Sequence, residues 1–178
     1  MSYESLSFKV PKDKRDAPPS GSPVLPSFPC ACGAEQRGIY GCRVFILINE
    51  SSHFSIHWNG GRGSNSKAEV MALAGLLYFC FFLDIRHVLI FGDSKVMVDF
   101  VHKENNISMP HLTGWLNRIR SLWDDMYESS INHISRTQNL KADSLSKKGL
   151  SSSPGLWFVQ VLSDENIFTI QEFSPPIF

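Results

Sequence analysis

The sequence has no surplus of charge. Seventeen lysines and arginines balance seventeen aspartates and glutamates over 178 residues. A chain that holds nucleic acid by bulk electrostatics usually carries a basic excess. The balance argues against that kind of binder and leaves a local basic face open. Cysteine is also scarce: Cys30, Cys32, Cys42 and Cys80. The first two form a lone C-x-C, and no second pair completes a zinc pattern. They read as reduced thiols in an intracellular protein, with nucleus and cytoplasm both open. No apolar h-region opens the chain, so no signal peptide is expected. The longest apolar run, Val70 to Leu83, has 14 residues. A membrane span needs about 20, so the run reads as a core helix and no membrane partner is expected. The glycine-rich stretch Gly60-Gly61-Arg62-Gly63-Ser64-Asn65-Ser66 has no GK[ST] after it, so it is not a Walker phosphate loop. Internal repeats are absent too.

What is present fits one domain of ordinary size. Six of the ten prolines fall within residues 1–29. That composition cannot bury enough apolar surface to offset its ordering entropy, and disorder is expected at least to Gly21. The domain is expected over 30–150. Residues 151–178 read as an extension, with strand-like runs at Leu156–Leu162 and Ile167–Phe173 that could form a hairpin on the domain edge. Ser174–Phe178 is expected to fray.

The domain is organised around Val88-Leu89-Ile90-Phe91-Gly92-Asp93-Ser94. Four apolar residues end in a glycine and an acid, and a helical pattern follows at once. This predicts a buried parallel strand that delivers Asp93 to the carboxyl edge of a sheet, where open α/β sheets hold ligands. Ahead of it, Gly41–Ile48 and His53–Asn59 predict an antiparallel hairpin. Phe54, Ile56 and Trp58 point one way and His53, Ser55 and His57 the other; His53 and His57 are expected to face solvent. Gly60–Ser66 reads as a turn ending in N-cap chemistry, followed by a helix from about Ser66 to Phe82. Glu69 then sits in the first helical turn, as a dipole-favoured acid or as a ligand. After Asp93 come a short helix to about His102, with Val96, Met97, Phe100 and Val101 inward, and an amphipathic helix over about His111–Tyr127. Ser130–Ile134 is a short strand, and a last helix over about Leu140–Lys148 stops at Gly149. Asp143 lies near that helix's start. Glu69, Asp93 and Asp143 are three carboxylates on separate elements, a set that can hold a divalent metal.

Three segments carry a resemblance in correct order and spacing. They are Gly63-Ser64-Asn65-Ser66-Lys67-Ala68-Glu69; Phe91-Gly92-Asp93-Ser94; and His133-Ile134-Ser135-Arg136-Thr137-Gln138-Asn139 with Ala142-Asp143-Ser144-Leu145-Ser146-Lys147. Residues 30–150 resemble the type 1 ribonuclease H domain, in particular the plant branch related to retroelement reverse transcriptases. The resemblance implies an α/β fold of three layers, a mixed sheet flanked by helices. It also implies metal-dependent hydrolysis of the RNA strand of an RNA–DNA hybrid, with two Mg2+ (or Mn2+) ions held by four carboxylates. The family's second, third and fourth acids fall on Glu69, Asp93 and Asp143. Its mobile-loop histidine falls on His133. Ser64, Asn65 and Ser66 would touch the hybrid's minor groove, where 2′-hydroxyls report the RNA strand. Asn139 would sit beside the metal-site loop, or would be a turn residue capping the last helix. The chain is expected to be a monomer.

The resemblance breaks at the first acid. The family's F-D-G-A corresponds here to Phe28-Pro29-Cys30-Ala31-Cys32-Gly33. Pro29 (or Cys30, with a one-residue shift) replaces the aspartate, and neither is a hard oxygen ligand. Val24–Pro29 is a poor central strand because proline donates nothing to the ladder. A damaged or absent first strand is therefore expected, with activity reduced or lost. The alternatives are a non-catalytic nucleic-acid-binding domain or a retroelement relic. Glu35 is the one nearby acid that could substitute.

Overall fold

The computed structural model describes residues 29–31, 38–47, 52–103, 107–127, 129–135, 153–163 and 166–173. The expected last helix over 140–148, residues 1–28 of the proline-rich segment and the tail 174–178 lie outside this set.

Alternation builds the first hairpin. β2 (Ile39–Leu47) and β3 (Ser52–Arg62) pair antiparallel. Tyr40, Cys42, Val44 and Ile46 join Phe54, Ile56 and Trp58 on one buried face. α1 (Asn65–Phe82) packs on the sheet and is buried along most of its length, as its nearly uniform apolarity predicts.

Two expectations for this hairpin need correction. The first concerns Gly60 and Gly61, which lie in β3 and not in a turn. The ladder slips at Tyr40/Gly41 and then continues to Arg62. The glycine at 60 is required by close approach: a Cβ there would meet Tyr40 Cε2 at 2.0 Å. The second concerns His53 and His57, expected to face solvent, which are half-buried on either side of a buried Ser55. Ser55 is 1% exposed, and Arg43 Nη2 donates to its Oγ at 2.8 Å. His57 stacks on Phe158 with ring centroids 5.2 Å apart. A further strand beside β3 supplies that cover.

This strand is β6 (Trp157–Ser163), which pairs antiparallel with β3 and with β7 (Asn166–Phe173). Residues 157–173 thus extend the sheet itself. Trp157 is fully buried and stacks on Trp58, centroids 4.2 Å apart and planes 14° apart. Such pairs contribute roughly 0.5–1.5 kcal/mol beyond area burial.

On the other side of the hairpin, β1 (Pro29–Ala31) pairs antiparallel with β2. It is three residues long, with Pro29 at the opening position, where a missing N–H is tolerated. The sheet order is β1-β2-β3-β6-β7. β4 (Leu89–Gly92) and β5 (Ser130–His133) form a separate parallel pair. β1 comes within 8 Å of β4 between Cα atoms, but among the described residues the two share no ladder.

α2 (Lys95–Val101) turns Met97, Val98, Phe100 and Val101 inward. Val96, expected inward, is 49% exposed and Val98 takes its place. A helix starting at Lys95 carries Met97, Val98 and Val101 on one flank at i, i+1, i+4 spacing. A 3₁₀ turn (Pro110–Leu112) leads into α3 (Thr113–Asp124), whose Leu116 and Ile119 pack inward. Together these elements make the mixed α/β arrangement expected. No helix among the described residues is long and apolar enough to cross a membrane.

Candidate functional site

The parallel ladder sets the site's frame. β4 and β5 end together, Gly92 opposite His133, and Ile134 N donates to Gly92 O at 2.9 Å. Asp93 follows β4 directly and is half-buried. His133 is the exposed last residue of β5. Both therefore lie at one carboxyl edge.

α1 brings Glu69 to the same edge. Ser64 is the N-cap, its Oγ accepting from Lys67 N at 3.3 Å. The helix begins at Asn65, one residue earlier than expected, and Glu69 is in its second turn. Dipole stabilisation of an acid falls off within the first turn, so that explanation of Glu69 does not apply. Its carboxylate has a specific partner: Ser94 Oγ donates to Glu69 Oε2 at 2.7 Å. Ser94 is also the N-cap of α2, accepting from Met97 N at 3.4 Å.

Glu69, Asp93 and Ser94 wall one small cleft above Leu73, Met97 and Ile131. Its cavity volume is about 30 Å³, room for about two waters. Among the described residues no three acidic, histidine or cysteine side chains converge into a cation-holding group. Asp143, Asn139 and Glu35 lie outside the described residues. Ser64 and Asn65 are exposed and Ser66 is half-buried at the start of α1. That start is pinned: Gly63 N donates to Gly38 O at 2.9 Å, and Lys67 Nζ donates to Arg62 O at 3.2 Å. Ser94 is the residue to which sequence reasoning gave no role. A serine at a strand-to-helix junction is the signal that could have marked it as an N-cap; its bond to Glu69 spans two distant elements and leaves no such signal.

The reverse transcriptase-like family model matches residues 40–149. The chain belongs to this family. Its fold is that of ribonuclease H. It is similar to RNase H1 from the halophilic archaeon Halobacterium salinarum, at 19% identity and TM-score 0.55, over 72% of this chain and 100% of that one. LC11-RNase H1, solved in complex with an RNA/DNA hybrid and isolated from compost by a metagenomic approach, is 18% identical with TM-score 0.56, over 70% and 96%. The N-terminal RNase H domain of a Mycobacterium tuberculosis protein, solved fused to maltose-binding protein, is 18% identical with TM-score 0.51, over 71% and 100%. At these identities the likeness establishes the fold. None of the curated proteins matches the chain.

Proposed function

We propose that this domain engages an RNA–DNA hybrid across the start of α1 and the carboxyl edge of β4 and β5, as a metal-dependent ribonuclease with weakened hydrolysis. The observation that carries the reading is the meeting of Glu69 and Asp93, from α1 and β4, in one cleft. Two carboxylates beside the Ser94 hydroxyl suit one magnesium or manganese ion, since such ions are held by one or two carboxylates with retained waters. When bound, the metal supplies charge stabilisation and activated water for phosphodiester hydrolysis. The chain's own groups divide the remaining tasks. Glu69 and Asp93 present hard oxygens, with Asp143 as the third carboxylate of the proposed set. Ser94 fixes one Glu69 oxygen, Oε2. His133, exposed beside Gly92, is a proton carrier to departing product. Ser64, Asn65 and Ser66, with Asn139, contact the hybrid's sugar–phosphate surface. Pro29 or Cys30 in β1 supplies no oxygen ligand, which is the reason for weakened hydrolysis.

The test is cleavage of a labelled hybrid in Mg2+ and then Mn2+, with a Glu69→Gln/Asp93→Asn control and a Pro29→Asp variant. Cleavage abolished by the control supports hydrolysis here. Cleavage gained only with Pro29→Asp means one missing ligand disables the site. Salt-sensitive hybrid binding without cutting in any variant would replace the reading with a non-catalytic binding domain.

A further inference from the structure

α1 ends in an aromatic patch at the pole of the domain opposite the carboxylates. Among the described residues four large apolar side chains are exposed, and three of them lie here: Phe81 at 42%, Phe82 at 46% and Tyr127 at 66%. Arg86 links Phe81 to Tyr127. Its guanidinium lies 4.4 Å from the Phe81 ring centroid, and its carbonyl accepts from Tyr127 N at 2.9 Å. The His87 ring sits 5.9 Å from the Tyr127 ring. Phe81 to His87 precede β4 and Tyr127 precedes β5, whereas Asp93 and His133 lie at the far ends of those strands. The patch therefore has no part in the carboxylate cleft.

The ladders show which part of the chain arrives at this pole. Near the start of α1, Cys42 Sγ donates to Ala68 O at 3.5 Å; near its end, Phe79 packs edge-on against Phe54, centroids 5.6 Å apart. Phe54 pairs with Ile46, so α1 runs along β2 from the level of Cys42 to that of Ile46. β1, which also packs on α1, runs the other way: Ala31 is level with Cys42 and Pro29 with Val44. Traced backwards, the chain leaves Pro29 toward the end of α1. From Val44 to Ile46 is about 7 Å at the strand rise. From Phe79 to Phe82 is about 4.5 Å at the helix rise, which puts the patch about 11 Å beyond Pro29.

Residues 23–28 lie outside the described set, and their sequence carries a period. Pro23, Pro26 and Pro29 recur every third residue, with no charged residue among them. A polyproline II helix has three residues per turn, so in that conformation the three prolines share one edge. Six residues at its rise reach about 19 Å, enough to cross the patch. Such helices cost little entropy to order and dock proline rings on aromatic side chains. Arg86 Nε is already paired with Asp84 Oδ1 at 3.1 Å, which suits the surface beside Phe81 to an uncharged occupant. We propose that residues 23–28 dock on Phe81, Phe82 and Tyr127 as a polyproline II strap. The strap fixes the chain just before β1, whose ladder with β2 is three residues long.

The experiment is NMR on the full chain with prolines and aromatic rings labelled. NOEs are expected from the Pro23 and Pro26 rings to those of Phe81, Phe82 or Tyr127. Phe81→Ser/Phe82→Ser should shift the Pro23 and Pro26 signals to those of a free peptide of residues 22–29. Pro23→Ser/Pro26→Ser, which leaves the folded core untouched, should move the Phe81 and Phe82 ring signals. The peptide, added in trans, should bind that proline variant saturably and the wild type about 10-fold more weakly, because the tethered segment already covers the patch. The two double variants combined should melt no lower than the less stable of them, since one contact is lost once. Absence of NOEs with ring signals indifferent to Pro23→Ser/Pro26→Ser would overturn the proposal, as would additive losses in the melt. Ring signals that move with protein concentration and not with the prolines would give the patch to a second copy and overturn the strap. None of these readouts depends on hybrid cleavage.

Discussion

Replacing Ser94 with alanine removes one oxygen that makes two bonds. The first is the donation to Glu69 Oε2 at 2.7 Å; the second is the cap on Met97 N at 3.4 Å. A hydroxyl bonded to a charged group contributes about 1.5–3 kcal/mol. Here both partners are half-buried, so water replaces part of the lost bond and the lower end applies. A lost N-cap costs about 0.5–2 kcal/mol, and the long cap distance again favours the lower end. The sum is about 2 kcal/mol, or about 4–8 °C in melting temperature for a chain of this size. Two companion variants separate the bonds. Ser94→Thr keeps both and should melt like the wild type. Ser94→Asp caps about as well as serine but sets a negative charge against Glu69. Without metal it should melt below Ser94→Ala; with Mn2+ it should recover more than the wild type gains, because a third carboxylate now faces the cleft. Melts in EDTA and in Mn2+ read all four proteins. A Ser94→Ala melt equal to the wild type, or a metal-free Ser94→Asp more stable than Ser94→Ala, would refute the reasoning.

Two further outcomes follow from packing and protonation. Gly75→Ala gains about 1 kcal/mol of helix propensity, but the new Cβ would meet Trp58 Cη2 at 2.5 Å and Trp157 Cη2 at 3.0 Å. Both rings are buried and mutually stacked, overpacking costs about 1–3 kcal/mol, and a lower melting temperature is expected; a higher one would show that the rings yield freely. His53 has its pKa lowered, first by burial and then by the Arg43 guanidinium. Around and below pH 6.5 the unfolded chain therefore binds the proton more readily, so stability from this residue is full above that pH and is lost as pH falls. His53→Gln should flatten the denaturation midpoint between neutral pH and about pH 5, and an unchanged slope would mean that His53 titrates alike in both states.

The parts of this fold legible in the sequence are those whose reason is local. Val88–Ser94 announced β4 and Asp93 through an apolar run stopped by Gly-Asp. Strict alternation announced the buried face of β3. The failures had non-local causes. Gly60-Gly61 looks like a turn until the Tyr40 ring, from the neighbouring strand, is seen filling the space a side chain at Gly60 would need, and Gly61 is seen at φ +76°. Alternation placed His53, Ser55 and His57 on one face, but could not say that β6, a hundred residues later, pairs beside it. The start of α1 was read at Ser66, because Ser64 and Ser66 offer the same N-cap chemistry and only Lys67 N shows which is used. At the site, the types and order of Glu69, Asp93 and His133 were readable, whereas the bond from Ser94 to Glu69 was not.

The short first strand gives that bond its weight. Where a full-length strand would join β4 to the rest of the sheet, β1 offers three residues paired only to β2 among the described residues. The β4–β5 pair, which carries Asp93 and His133, must then be positioned by other means. Apolar contact supplies part of it: Ala72 and Leu73 of α1 share the cleft with Met97, Val98 and Ile131. Such contact is non-directional and permits sliding. The Ser94–Glu69 bond is directional. It links α1, which packs on the five-stranded sheet, to the residue where β4 passes into α2. Loss of Ser94 should therefore loosen the spacing of Glu69 and Asp93 more than its stability effect suggests. Divalent-metal affinity should fall further in Ser94→Ala than in a Met97→Leu variant of the same cleft, which keeps the bond and changes only the packing.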